Sequence, residues 1–218
     1  LVANYRAFLE RAFGDTRASR YLVLGGYNLG RVLLHLDLLQ DPRCRFNFSS
    51  VIAVADAARP SFGVSHKNRY REMMVSRELS RGFWKTLAEE RPGYVFWDLM
   101  EERFDMARTG HVDIVILPED AFDKDAFLAR VAKVSPSTQV VVVEIYLAER
   151  LGNLRETREY EGLGSIRAAN AILSRYYAYL RERHLETTLV GGIMDCCTFT
   201  DENHEYGVVP SHLNEVTN

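Results

Sequence analysis

The stretch Tyr21-Leu22-Val23-Leu24-Gly25-Gly26-Tyr27-Asn28-Leu29-Gly30-Arg31 decides the fold class. Four consecutive apolar residues stopped by paired glycines predict a short strand buried on both faces. The glycines allow a sharp turn into a helix expected from Leu29 to Leu39, which Asp41-Pro42 ends. A strand, a glycine turn and a helix in that order are the start of a βαβ unit.

The same alternation continues outward from this unit. Apolar runs at Ser50–Asp56, Tyr94–Asp98, Val112–Leu117, Gln139–Ile145 and Thr187–Val190 predict further strands. Helices are expected at Glu78–Glu90, Lys124–Val134 and Ser165–Arg183. In the last of these, Ile166, Ala169, Ile172, Leu173, Tyr176 and Leu180 fall on one face. Upstream, Val2, Tyr5, Leu9 and Phe13 recur at helical spacing, so residues 1–18 read as an N-terminal helix and lead-in. Residues 57–75 carry many polar residues together with Pro60 and Gly63, as expected of a long functional loop. Strands that are apolar throughout require cover on both faces. The expected fold is therefore a three-layer α/β/α sandwich with a mostly parallel, flavodoxin-like sheet, formed by residues 1–218 as one domain.

Composition excludes several classes. Of 218 residues, 47% are hydrophobic and 26% charged, which is an ordinary globular balance. The 27 basic and 30 acidic residues leave a net charge of -3, without the basic excess of a protein that grips nucleic acid by its phosphates. No apolar run approaches the about 20 residues of a membrane-spanning helix. The chain opens Leu1-Val2-Ala3-Asn4 without a basic segment leading into an apolar one, so no secretory signal is legible. Cys44, Cys196 and Cys197 have neither disulfide-framework nor zinc-ligand spacing. Reduced thiols, a cytoplasmic location, and no metal or organic cofactor are expected.

In sheets of this kind ligands bind beyond the carboxyl ends of the strands. That rule selects five groups of residues, one of which, Glu144 to Arg150, follows a central strand. Gly26, Tyr27 and Asn28 follow the first strand, where backbone N–H groups at a helix start suit an anion or oxyanion. The spacing fails the dinucleotide fingerprint, and Gly30-Arg31-Val32 fails the phosphate-loop pattern. On the long loop, Arg59 is able to clamp a carboxylate or phosphate, and Ser61 supplies a hydroxyl. Asp98 closes the third strand, with Glu102 and Arg103 as an expected ion pair beneath it. Asp201 lies three residues before His204, a spacing at which a carboxylate orients an imidazole as general base. His212 follows on the same segment.

Taken together and in order, these segments resemble the SGNH (GDSL-like) hydrolase superfamily. The likeness is to an uncharacterised bacterial branch found with surface-polysaccharide biosynthesis proteins. It extends from about Tyr21 to His212. It is carried by Asp98-Leu99-Met100-Glu101-Glu102-Arg103-Phe104-Asp105, Glu144-Ile145-Tyr146-Leu147-Ala148-Glu149-Arg150, Ala58-Arg59-Pro60-Ser61 and the segment Asp201 to His212. The resemblance implies esterase or acyltransferase chemistry in active members, with Asp201 and His204 as acid and base of a triad. Those proteins carry Gly-Ser-Cys after the first strand, with the Ser as nucleophile, whereas this chain has Gly25-Gly26-Tyr27. Three readings follow. The first is a catalytically degenerate domain that binds a carbohydrate or acylated small molecule, fused to or associated with polysaccharide-biosynthesis proteins. The second is an active acyl hydrolase or transferase whose nucleophile has moved to Ser61 or Tyr27. The third is a nucleotide- or phosphate-binding domain using the Gly25–Gly30 turn with Arg31 or Arg59.

Overall fold

A computed structural model of the protein describes residues 20–26, 28–30, 33, 44–46, 82–99, 106–107, 114–115, 124–153, 155–184, 188–190 and 199–203. The strands are β1 (Tyr21–Leu24), β2 (Arg45–Phe46), β3 (Tyr94–Trp97), β4 (Met106–Ala107), β5 (Ile114–Val115), β6 (Gln139–Val143), β7 (Arg150–Gly152), β8 (Thr157–Glu159), β9 (Thr188–Val190) and β10 (Thr200–Asp201). The labelled helices are α1 (Gly82–Glu90), α2 (Lys124–Val134) and α3 (Leu163–Arg183), and residues 28–30 and 33 are also helical.

The main sheet runs β2-β1-β3-β6-β9, and every pairing within it is parallel. This is the expected flavodoxin-like order: the chain steps from β1 to β2 on one side, then adds all later strands on the other. Register sets Leu24 beside both Phe46 and Trp97, so the three side chains share a face. Helices α1 and α2 cover that face. The Phe46 ring meets Phe83 edge-on at 5.4 Å, and Trp97 lies 4.9 Å from Phe127. Val23, Phe96 and Val141 of the opposite face are equally buried. Leu29 and Leu33, one helical turn apart between β1 and β2, are buried as well. The result is the three-layer α/β/α sandwich.

Several expectations are corrected. The stretch Val112–Leu117 contributes Ile114–Val115, which pairs antiparallel with β4 in a ribbon apart from the main sheet. An apolar run looks the same in sequence whether it joins a central sheet or a ribbon. On the side of β1 away from β3, its neighbour among the described residues is Arg45–Phe46, while the strand expected at Ser50–Asp56 lies outside them, as do the N-terminal helix and the long loop. The buried stripe of α3 is Ile166, Asn170, Leu173, Tyr177 and Leu180, with Tyr177 inside and Tyr176 only half-buried. A second sheet, β10-β7-β8, is formed from short, polar strands with no legible alternation.

Two expected outcomes arise here. A Cβ added at Gly164, in the first turn of α3, meets nothing within 4 Å. Gly164→Ala should therefore stabilise the protein by about 0.5–1 kcal/mol in urea unfolding, because alanine restricts the unfolded chain and favours helix. Loss of stability would mean that the turn needs a backbone freedom the structure does not use.

The second concerns the contact between α2 and α3. Asp125 Oδ1 lies 2.7 Å from His184 Nε2, and its Oδ2 accepts the Tyr179 hydroxyl at 2.7 Å. The His184 bond foremost, then the Tyr179 bond and the charges of His184 and Arg183, hold the Asp125 carboxyl below its ordinary value against a smaller effect of burial. A depressed folded-state pKa stabilises fully above the unfolded value, and the stabilisation is lost as pH falls through the folded one. Asp125→Asn should lower Tm at about pH 6, and its gap from wild type should close as pH falls below about 4 and through the lowered folded-state value. A gap that stays constant over that window rules out the linkage.

Candidate functional site

The switch point of a 2-1-3-4-5 sheet lies between its first and third strands, here at the carboxyl ends of β1 and β3. The paired register Leu24↔Trp97 brings the residues that follow each strand side by side. Asp98 N–H donates to Leu24 O at 3.2 Å, which extends the ladder by one step. The Asp98 side chain then turns over the glycines, and its Oδ2 accepts the Gly26 N–H at 2.9 Å. Asp98 is only 2% exposed.

Gly25 is required by this close approach. A Cβ there would stand 2.6 Å from Asp98 Oδ2, 2.8 Å from its Cγ and 2.9 Å from Leu29 Cδ2. Gly26 O in turn accepts the Gly30 N–H at 3.3 Å, so the helix starts directly from the turn. A helix start favours negative charge, and the Asp98 carboxyl lies beside this one. Gly30 packs against the Arg45 guanidinium, leaving no room for a side chain there. Asn28, in the first helical turn, is buried at 6% exposure.

The Gly26 amide was expected to serve as an oxyanion donor. In this structure its N–H is donated to Asp98. The sequence could not show this, because the partners are 72 residues apart.

Beneath the crest, Tyr177 of α3 joins the strand ends. Its hydroxyl accepts the Ile145 N–H at 3.1 Å and lies 3.1 Å from Ile145 O and 3.3 Å from Val143 O. Burial above all, and then the charge of Asp98, push its phenol well above the ordinary value. Asn170 docks two turns earlier on the same helix. Its Oδ1 accepts Leu147 N–H at 2.9 Å and its Nδ2 donates to Leu147 O at 3.0 Å. Neither residue was singled out for these roles from sequence, although the spacing 166, 170, 173, 177, 180 marks both as inward-facing.

Glu144, after β6, is buried and pairs with Arg181 of α3. It also accepts the Tyr146 hydroxyl at 2.5 Å. Burial and that bond push the Tyr146 phenol up to about 12, so it remains a donor at neutral pH. Asp98 turns to the glycine turn and Glu144 to α3.

Asp201 lies in β10, paired parallel with Gly152, and its Oδ1 accepts the Asn203 N–H at 2.8 Å. It was expected in a loop after the last strand of the main sheet; a strand of the second sheet carries it instead. Tyr27, Arg59, Ser61, Glu102, Arg103, His204 and His212 lie outside the described residues. The structure thus brings Gly26, Asn28 and Asp98 to one crest. Among the described residues, no group of three or more His, Cys, Asp or Glu is placed to hold a metal ion. No helix among them is long and apolar enough to cross a membrane.

No protein-family model matches the chain, and no curated protein matches it. Among solved structures, a crystal structure described as that of a possible lipase from Chitinophaga pinensis DSM 2588 is similar at 10% identity with a TM-score of 0.34. The similarity covers 78% of this chain and 66% of that one, so this chain spans just under two thirds of that protein's length. The fold assignment rests on the strand order and register given above.

Proposed function

We propose that the protein is an SGNH-like domain that binds a glycan or acylated glycan at the carboxyl edge of its sheet, without serine-type ester hydrolysis. One observation carries this reading. Where the related hydrolases have their nucleophile, this chain has Gly26, and the Gly26 N–H is donated to Asp98. An acyl-enzyme needs a hydroxyl at that position and N–H groups aimed at the developing oxyanion. Here the oxyanion would meet a carboxylate. The same carboxylate disfavours a phosphate in the turn, which counts against the nucleotide-binding alternative.

The glycan assignment rests on the resemblance of Asp98–Asp105 and of Asp201–His212 to the polysaccharide-associated branch. On this reading residues 1–218 act as one domain in the cytoplasm, alongside polysaccharide-biosynthesis proteins and without a cofactor.

The test pairs turnover with binding. Against p-nitrophenyl acyl esters and acetylated sugars, wild type and His204→Ala should both stay at background, since removing a triad nucleophile leaves only residual catalysis. Calorimetry with acetylated oligosaccharides should still show binding. Robust hydrolysis by the wild type, abolished by Ser61→Ala or Tyr27→Phe, would instead establish an active enzyme with a displaced nucleophile. In a thermal-shift screen, a ligand at 100 times its Kd stabilises by about 2.7 kcal/mol. A shift of that size with nucleotides but not with sugars would sink the glycan assignment.

A further inference from the structure

The second sheet, β10-β7-β8, is joined to α3 through Arg167. Its guanidinium holds Glu149, just before β7, at 3.0 Å and Glu159, the last residue of β8, at 3.7 Å. The hairpin turn is organised by Asn153. Its Oδ1 accepts the Arg155 N–H at 2.9 Å and the Glu156 N–H at 3.1 Å, while its own N–H donates to Glu156 O at 2.9 Å. Gly152, at φ 149, permits the entry into this turn. One group of Asn153 is left over from the turn. Its Nδ2 donates to Glu202 Oε1 at 2.9 Å, across to the residue that follows β10. Glu202 N–H donates to Gly152 O at 2.9 Å, and the next amide, of Asn203, donates to Asp201 Oδ1.

We propose that Asn153 and Glu202 are positioning residues that set how the Asp201–Asn203 turn leaves β10. Asn153 thereby couples the hairpin turn to the carboxylate segment of the candidate site. A side chain that only closed its own turn would need an acceptor alone, which aspartate also supplies. The bridge to Glu202 needs the amide donor, and that explains why this position carries Asn. The proposal rests on the preceding functional reading only for what the turn serves; the geometry is testable without ligand.

The test is amide hydrogen exchange on the unliganded protein. Asn153→Asp keeps the acceptor for the two turn amides but sets a carboxylate against Glu202. It should speed exchange at Glu202 and Asn203 by roughly five-fold, leaving the amides of β3 and β6 unchanged. Glu202→Gln alone should change little, since its amide oxygen still accepts from Asn153. In the double variant the new amide donates to the new carboxylate, with donor and acceptor exchanged, and protection should return towards wild type. Unchanged exchange in Asn153→Asp, or a double variant no better protected than the single one, overturns the proposal. Because no ligand is present, either outcome is independent of whether a glycan binds.

Discussion

Gly25→Ala should destabilise the protein by about 2–4 kcal/mol, the sum of overpacking and a weakened buried hydrogen bond to a charged group. The added methyl would stand 2.6 Å from Asp98 Oδ2 and 2.9 Å from Leu29 Cδ2. Both neighbours are buried, so neither swings into solvent to relieve the contact. Asp98 has to retreat from the Gly26 amide, and the crest loses the bond that joins β1 to β3 beyond their last ladder step. Gly30→Ala provides the comparison. Its obstacle is the flexible, half-buried Arg45 side chain, and a smaller loss is expected. Urea unfolding of the two variants measures the difference. Equal losses would show that Asp98 yields as readily as an arginine at the surface, and that its contact with the turn has little weight.

Asn170→Ala should cost a similar amount, about 2–4 kcal/mol, by a different mechanism. The side-chain amide of Asn170 satisfies both the N–H and the C=O of Leu147. Leu147 and Asn170 are both buried. Deleting the amide strands two buried backbone groups, each costing about 1–3 kcal/mol when left without a partner. Accelerated exchange at the Leu147 amide should accompany the loss of stability. A change below about 1 kcal/mol would mean that water takes over both bonds, and that α3 does not rely on this contact to hold the chain leaving β6.

Much of the fold was legible because parallel strands buried on both faces must be apolar along their whole length. Tyr21–Leu24, Gln139–Val143 and most of Tyr94–Asp98 announce themselves for that reason. Arg45–Phe46 does not, being a two-residue strand with a charged member at the sheet edge. The strands Arg150–Gly152 and Thr157–Glu159 are equally silent, since a short hairpin with polar faces carries no period. The phase of α3 was misread by one residue at Tyr176 and Tyr177. Adjacent tyrosines are equivalent to a hydrophobicity count, and only packing decides that the second of them reaches Ile145.

At the candidate site the same division holds. Sequence alone determined that Gly25, Gly26 and Asp98 follow apolar runs, and that no hydroxyl stands at position 26. Both are local facts, readable from the order of residues. Only the tertiary structure decided that Asp98 takes the Gly26 amide. That contact needs β3 to lie beside β1 in the register that pairs Leu24 with Trp97, and strand adjacency is set by the packing of whole layers. It likewise decided that Asp201 belongs to a second sheet tied to α3, because its strand partner is Gly152 and the bond from Asn153 reaches the next residue, Glu202, both from far back along the chain.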